Sequence, residues 1–190
     1  MFMLFLSCKA GNKQADTSLN STLGGNSTPF VNEKWEQHVN QSKEQTKQLN
    51  CFPTKYEAHG PSRGTVILLH GFTACPQQFF EIGKKLSHIG YRVYIPLLPG
   101  HGLEKFKDNE YEELPNLENY SRVFDGFVTQ INEIALFENL GANSNEEISP
   151  VSIGGLSLGG MLAVNAIAKK PTIYSNALIL TPFFQIKLQN

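Results

Sequence analysis

Ser157 stands in the run Gly155-Leu156-Ser157-Leu158-Gly159-Gly160, with a glycine two positions away on either side. A hydroxyl carried on a sharp turn needs small neighbours, because the backbone folds back on itself and the side chain must stand clear of it. If a buried strand leads into that turn and a helix leads out, the helix aims its unpaired N–H groups and positive dipole end at the same point. Such an end favours the anion formed when a hydroxyl attacks a carbonyl. The chemistry is nucleophilic acyl transfer. Glycine and serine are common, so the run gains its meaning from the elements around it; away from such elements Ser157 reads as an ordinary turn residue.

Those elements are legible. Thr65-Val66-Ile67-Leu68-Leu69-His70 follows the turn residues Gly60 to Gly64 and is a short apolar run suited to a strand buried on both faces. Residues 77 to 89 place Phe79 or Phe80, Ile82, Leu86 and Ile89 at helical spacing, with Gly90 as the stop. Arg92 to Ile95 makes a second strand, and Leu117, Tyr120, Phe124, Phe127, Ile131, Ile134 and Leu140 mark one face of a long helix closed by Gly141. Ile148 to Ile153 is a third strand, Leu158 to Lys169 a helix, and Ala177 to Leu180 a fourth strand. Strands alternating with helices imply right-handed crossovers and an α/β fold, a mainly parallel sheet with helices on both faces. Ser157 then falls between the third strand and its helix.

Two further runs follow strand ends: His70-Gly71-Phe72-Thr73, and Pro96-Leu97-Leu98-Pro99-Gly100-His101-Gly102. With Gly155 to Gly160 they make the chain, over residues 65 to 182, resemble the α/β-hydrolase family, in its carboxylesterase, monoglyceride lipase and serine aminopeptidase-like branch. In that family a His-Gly pair follows the third strand and the next residue donates a backbone N–H to the oxyanion hole. The resemblance implies Ser157 as nucleophile and Phe72 and Leu158 as oxyanion donors, with His70, Gly71, Gly155 and Gly159 supporting the motif. It places the catalytic histidine late in the chain, so His70 and His101 are expected to have structural roles in their loops. Tyr111, Leu114, Tyr120 and Phe124 are candidates for a pocket lining, with core packing the default for those on the helix. The acidic stretch Asp108 to Glu113 reads as a solvated loop or part of a cap.

A serine hydroxyl is a weak nucleophile unless a histidine takes its proton and a carboxylate holds that histidine. The 33 residues after Ser157 contain no Asp, Glu or His, and all five histidines, His38, His59, His70, His88 and His101, precede it. The chain therefore reads as the N-terminal part of an enzyme, an incomplete α/β-hydrolase fold. It is expected to be nearly inactive by itself and to leave a sheet edge open beyond the fourth strand.

The function implied is hydrolysis of carboxylic esters, acylglycerols or other short and medium acyl esters, with a small-molecule ester as partner and no metal or organic cofactor. A serine peptidase, thioesterase or acyltransferase would use the same turn. Rivals of another kind are a non-catalytic envelope lipoprotein or a degenerate fragment, and an enzyme completed by a second chain. Sixteen Lys and Arg against seventeen Asp and Glu, a net charge of −1, argue against nucleic-acid binding, and 41% hydrophobic residues suit one globular domain.

Residues 31 to 54 read as a polar helix, with Trp35 and Val39 four apart, and a connector; residues 55 to 190 hold the hydrolase-like domain. Residues 1 to 30 read as the remnant of a leader and a disordered tether, because residues 9 to 30 are rich in Ser, Thr, Asn and Gly. Met1 to Leu6 is too short an apolar run to span a bilayer. Leu6-Ser7-Cys8 resembles the end of a bacterial lipoprotein signal, which implies lipidation of Cys8 and a membrane-anchored place in the cell envelope. The alternative is an ordinary cysteine and a cytoplasmic protein. Cys51 and Cys75 read equally as a pair or as two buried thiols.

Overall fold

The computed structural model describes residues 3–7, 27–46, 51–102, 117–140 and 149–182. Cys8, Tyr111, Leu114, the acidic stretch and Gly141 lie outside them. The elements run β1 (Met3–Ser7), α1 (Ser27–Gln45), β2 (Thr54–Tyr56), β3 (Thr65–Leu69), a 3-10 turn (Pro76–Phe79), α2 (Phe80–His88), β4 (Arg92–Ile95), α3 (Leu117–Asn139), β5 (Val151–Leu156), α4 (Leu158–Lys169) and β6 (Tyr174–Leu180). The sheet order is β1-β6-β5-β3-β4-β2. The four inner strands are parallel, and β1 and β2 close the two edges in antiparallel fashion.

Alternation along the strands divides the core. Ile67, Leu69, Tyr94, Val151 and Ile153 point to the face covered by α1, α3 and α4, where they meet Trp35, Phe127, Ile131, Ile134 and Leu162. Leu68, Val93 and Ile95 point to the other face, covered by Phe79, Phe80 and Leu86 around α2. Trp35 meets the Tyr94 ring edge-on at 5.0 Å, so α1 belongs to the same core as the sheet.

Four expectations change. The edge beyond β6 is not open, because Met3–Ser7 pairs along it from Met3 opposite Leu180 to Ser7 opposite Asn176. Helix α2 buries Gly83 and Ser87 rather than Ile82 and Ile89, which are half exposed. The reason is proximity: Gly83 lies flush against Tyr56 and Ile95, a fit that a branched residue on that stripe would prevent. On α3 the apolar stripe ends in the buried carboxylate of Glu138, and Leu140 turns outward. The third strand starts at Val151, after Pro150, whose carbonyl accepts from the Thr65 amide and which has no N–H for a ladder. The open question of the cysteines is answered as a pair, with Cys51 bonded to Cys75 and their Cα atoms 5.2 Å apart.

Glu138 gathers the starts of two strands. Its carboxylate accepts from Thr65 Oγ1 at 2.9 Å and Tyr94 Oη at 2.6 Å, and it pairs with the Arg92 guanidinium. Glu57 supports Arg92 from outside at 3.0 Å. Removing the carboxylate would leave the buried Tyr94 hydroxyl and Thr65 Oγ1 without an acceptor and the half-buried Arg92 with Glu57 alone, so Glu138→Ala is expected to cost about 3 kcal/mol. Urea unfolding of the two proteins measures this; a difference under ~1 kcal/mol would show that the network carries little.

Candidate active site

The parallel strands reverse direction of addition between β3 and β5: from β3 the chain moves outward to β4, then crosses back over the sheet to β5 on the other side. At such a switch point the loops leaving the two neighbouring strands part and leave a crevice at their carboxyl ends. The loop after β3 is His70-Gly71-Phe72 and the turn after β5 is Ser157, so the sequence candidates meet there.

Ser157 has φ 54 and ψ −116, a left-handed conformation rare for a residue with a side chain. Its amide donates to the Leu180 carbonyl of β6 at 3.0 Å, and its carbonyl accepts from Met161 at 3.0 Å as α4 begins. Serine is a favoured helix cap, yet the Ser157 hydroxyl makes no capping bond. The turn has rotated it away from the helix it precedes, which leaves a partly exposed hydroxyl uncommitted to the backbone. That separates it from an ordinary turn or cap serine.

The glycines explain the tightness. A Cβ at Gly155 would overlap the Gly159 carbonyl and lie 2.6 Å from the Gly160 nitrogen. A Cβ at Gly159 would overlap the Leu69 carbonyl and lie 2.5 Å from that of His70. Helix α4 therefore rests directly on the end of β3. Gly71 faces the turn, with the Cβ position it lacks only 3.8 Å from Ser157 Cβ. Leu158 opens α4, so its amide is one that the helix itself cannot bond. Phe72 follows Gly71, and its ring is 65% exposed.

Both loop histidines are hydrogen-bonded to the backbone of the loops. His70 is fully buried; its Nδ1–H donates to the Gly71 carbonyl at 2.9 Å and its Nε2 accepts from the Leu98 amide at 3.0 Å. That pattern fixes one neutral tautomer, and burial pushes its pKa down to about 4. His101 lies beyond it, 2.6 Å from the Phe72 carbonyl through Nε2 and 3.0 Å from the Pro99 carbonyl through Nδ1. Sequence reasoning missed Gln78, whose Oε1 accepts from the Gly71 amide at 2.9 Å and braces the loop from the 3-10 turn. No spacing rule marks such a residue. The Cys51–Cys75 bond, one of the two readings left open for these cysteines, ties the same loop to Cys51. Phe124 packs partly buried against the core; Tyr120 lies on α3.

His38 on α1 is the second buried neutral imidazole, accepting from the Leu97 amide at 3.2 Å and with burial pushing its pKa down to about 4. Both rings stay neutral in the folded chain to about pH 4, whereas in an unfolded chain they charge near 6.5. The unfolded state thus binds more protons in this window, and stability falls as pH drops from about 6.5 to about 4. The urea midpoint should be lower at pH 5 than at pH 7, and in His38→Gln the drop should be smaller. A midpoint that holds level across that interval would contradict neutral burial.

A model of the family described as serine aminopeptidase, S33, matches residues 60–190. Among solved structures the chain is similar to MenH from S. aureus, at 19% identity over 62% of this chain and 37% of that one, with a TM-score of 0.41. It is similar to Atu2452 from Agrobacterium tumefaciens, at 18% identity over 70% of this chain and 62% of that one, with a TM-score of 0.48. A monoacylglycerol lipase from Paleococcus ferrophilus matches at 20% identity over 66% of this chain and 40% of that one, with a TM-score of 0.40. The chain thus spans between 37% and 62% of the lengths of these three. No curated protein matches it.

Proposed function

The chain belongs to the serine aminopeptidase (S33) family of α/β hydrolases, and on that premise we propose that it is a serine hydrolase of carboxylic esters, acylglycerols or other short and medium acyl esters. The observation that carries the reading is Ser157: a residue with φ 54 on a strand-to-helix turn, whose hydroxyl caps nothing. Backbone strain of this kind costs of order 1–3 kcal/mol and persists only where the surroundings enforce it. The exposed Phe72 ring, one residue past the glycine facing Ser157, supports an apolar acyl group as the substrate part nearest the reacting carbon.

In the reaction the Ser157 oxygen would add to the carbonyl carbon, and the carbonyl oxygen would take up negative charge beside the Phe72 and Leu158 amides. Collapse would break the ester C–O bond, release the alcohol and leave an acyl-serine for water to hydrolyse. The Ser157 proton needs a base. None of the five histidines supplies it on this reading: His70 and His101 are committed to their loops and His38 to Leu97. His59 and His88 stack on each other at 4.4 Å, where α2 ends at the far side of the sheet from Ser157. We therefore assign the histidine and its carboxylate to residues outside these 190.

Two measurements test this. The purified 190-residue chain should turn over p-nitrophenyl butyrate only weakly; ready turnover abolished by Ser157→Ala would mean that the base is already present. In cells, a fluorophosphonate probe should label a species containing the Ser157 peptide and heavier than the 190-residue chain. Failure to label any Ser157-containing species, while other serine hydrolases label, would end the enzyme reading.

The paired Cys51 and Cys75 support a place in an oxidising compartment, and with Leu6-Ser7-Cys8 we propose an envelope protein lipidated on Cys8. Lipidation would remove Met3–Ser7, the strand that covers β6. Mass analysis of the mature N-terminus separates the outcomes: a chain starting at a diacylglyceryl-modified Cys8 supports the anchor, and one retaining Met3 to Ser7 excludes it.

A further inference from the structure

His101 has a geometry that a neutral imidazole cannot satisfy. Both of its ring nitrogens face carbonyl oxygens, Nδ1 that of Pro99 at 3.0 Å and Nε2 that of Phe72 at 2.6 Å. A carbonyl only accepts, so both contacts are hydrogen bonds only when both nitrogens carry protons; the neutral ring has one proton and turns a lone pair toward the other oxygen. His70 differs in just this respect, because one of its nitrogens faces a carbonyl and the other an amide. The inner histidine is built for the neutral form and the outer for the cation.

The surroundings allow this. His101 is partly exposed. The titratable group against it among the described residues is His70, edge-on at 5.0 Å, and that ring is uncharged over the range in which an ordinary imidazole titrates. On its own loop Pro99 and Gly100 carry no charge. Against the adjoining Gly102 stand Thr46 and the bonded Cys51, neither of which titrates in this range. The Phe72 ring meets it edge to face at 5.8 Å.

We propose that His101 is a positioning residue: as an imidazolium it bridges the carbonyls of Pro99 and Phe72, ties the loop after β4 to the loop after β3, and releases one side of that bridge when it loses its proton. The inference rests on the reading of Phe72 as an oxyanion donor for its functional meaning. The Phe72 carbonyl and amide belong to one residue, so a bond on the first restricts the torsions that aim the second. With both His101 nitrogens protonated the donor is held from both sides, by Gln78 on Gly71 and by His101 on Phe72. The neutral ring keeps only one of its two bonds, and loss of the proton from Nε2 removes the tie between the loops.

The test needs no turnover. In the isotope-labelled 190-residue chain, long-range proton–nitrogen correlations of the imidazole rings report protonation between pH 5 and 8.5. The amides of Thr73 and Gly100, attached to the two bridged carbonyls, report the bridge. The expected result is that His101 carries two N–H groups at the acid end, and that at least one of those amides shifts with the midpoint of the ring. His70 should remain in its Nδ1–H form throughout. His101→Ala should exchange its Gly71 amide, which Gln78 accepts, about tenfold faster, and His101→Gln, which retains a donor group, should fall between. The proposal is overturned if both amides stay flat while His101 titrates, or if His101 is singly protonated at every pH. The wild-type titration decides this even should a variant fail to fold. Flat amides beside a fluorophosphonate-labelled Ser157 would remove the bridge and leave the hydrolase; a working bridge without labelling would do the reverse.

Discussion

The close approach of α4 to the ends of β3 and β5 is the constraint on which the other features depend. Gly159 touches the carbonyls of Leu69 and His70, and Gly155 touches the first turn of the helix. A methyl group at either place would lift the helix from the sheet. With the helix seated, the chain has to reverse within one residue, and Ser157 takes up a left-handed backbone as a result. The cost is met by burial of Leu162, Ala163 and Ala166 against the sheet, a face too well packed to relax around one strained turn.

The same seating brings the loop after β3 alongside the turn. That loop has no regular structure, and its position is set by side chains that reach it from elsewhere. Gln78 holds the Gly71 amide, His70 joins the loop to Leu98, and His101 reaches the Phe72 carbonyl. At the opposite end of the strands, Glu138 collects Arg92, Tyr94 and Thr65. Desolvation drives the buried Tyr94 hydroxyl above its usual pKa and the buried His70 below its own, so each remains uncharged. One end of the sheet is thereby fixed by a paired charge and the other by hydrogen bonds from Gln78, the neutral His70 and His101 around a crevice.

Periodicity was sufficient for β3, β4, α3 and α4, because their apolar residues face a core on one or both sides and the pattern records it. It failed for β1 and β2, which are short and take their strand character from pairing with β6 and β4. It misread α2 because exposed isoleucines resemble a buried stripe, while Gly83 and Ser87 make the contact. At the site, the tight turn at Ser157 was readable through its flanking glycines, since close backbone approach leaves a mark in composition, whereas Phe72 and Leu158 were pointed to only by the resemblance to the α/β-hydrolase family. The braces from Gln78 and His101 were not, because a hydrogen bond between distant loops imposes no spacing. Pairing of Cys51 with Cys75 likewise required the fold to bring their Cα atoms to 5.2 Å.

That bond closes a covalent ring whose two ends are 24 positions apart. Inside the ring lie β2, the exposed turn at Gly60 to Arg63, the whole of β3 and the Phe72 loop. A peptide bond cut at that turn would leave both pieces attached to the same molecule, with β3 still between β4 and β5. Loop closure also withholds freedom from the unfolded chain, of order 3 kcal/mol for a ring of this size. The central strand and the loop it delivers therefore form the part of the molecule that cannot be shed, and in a reducing medium they would lose that protection together.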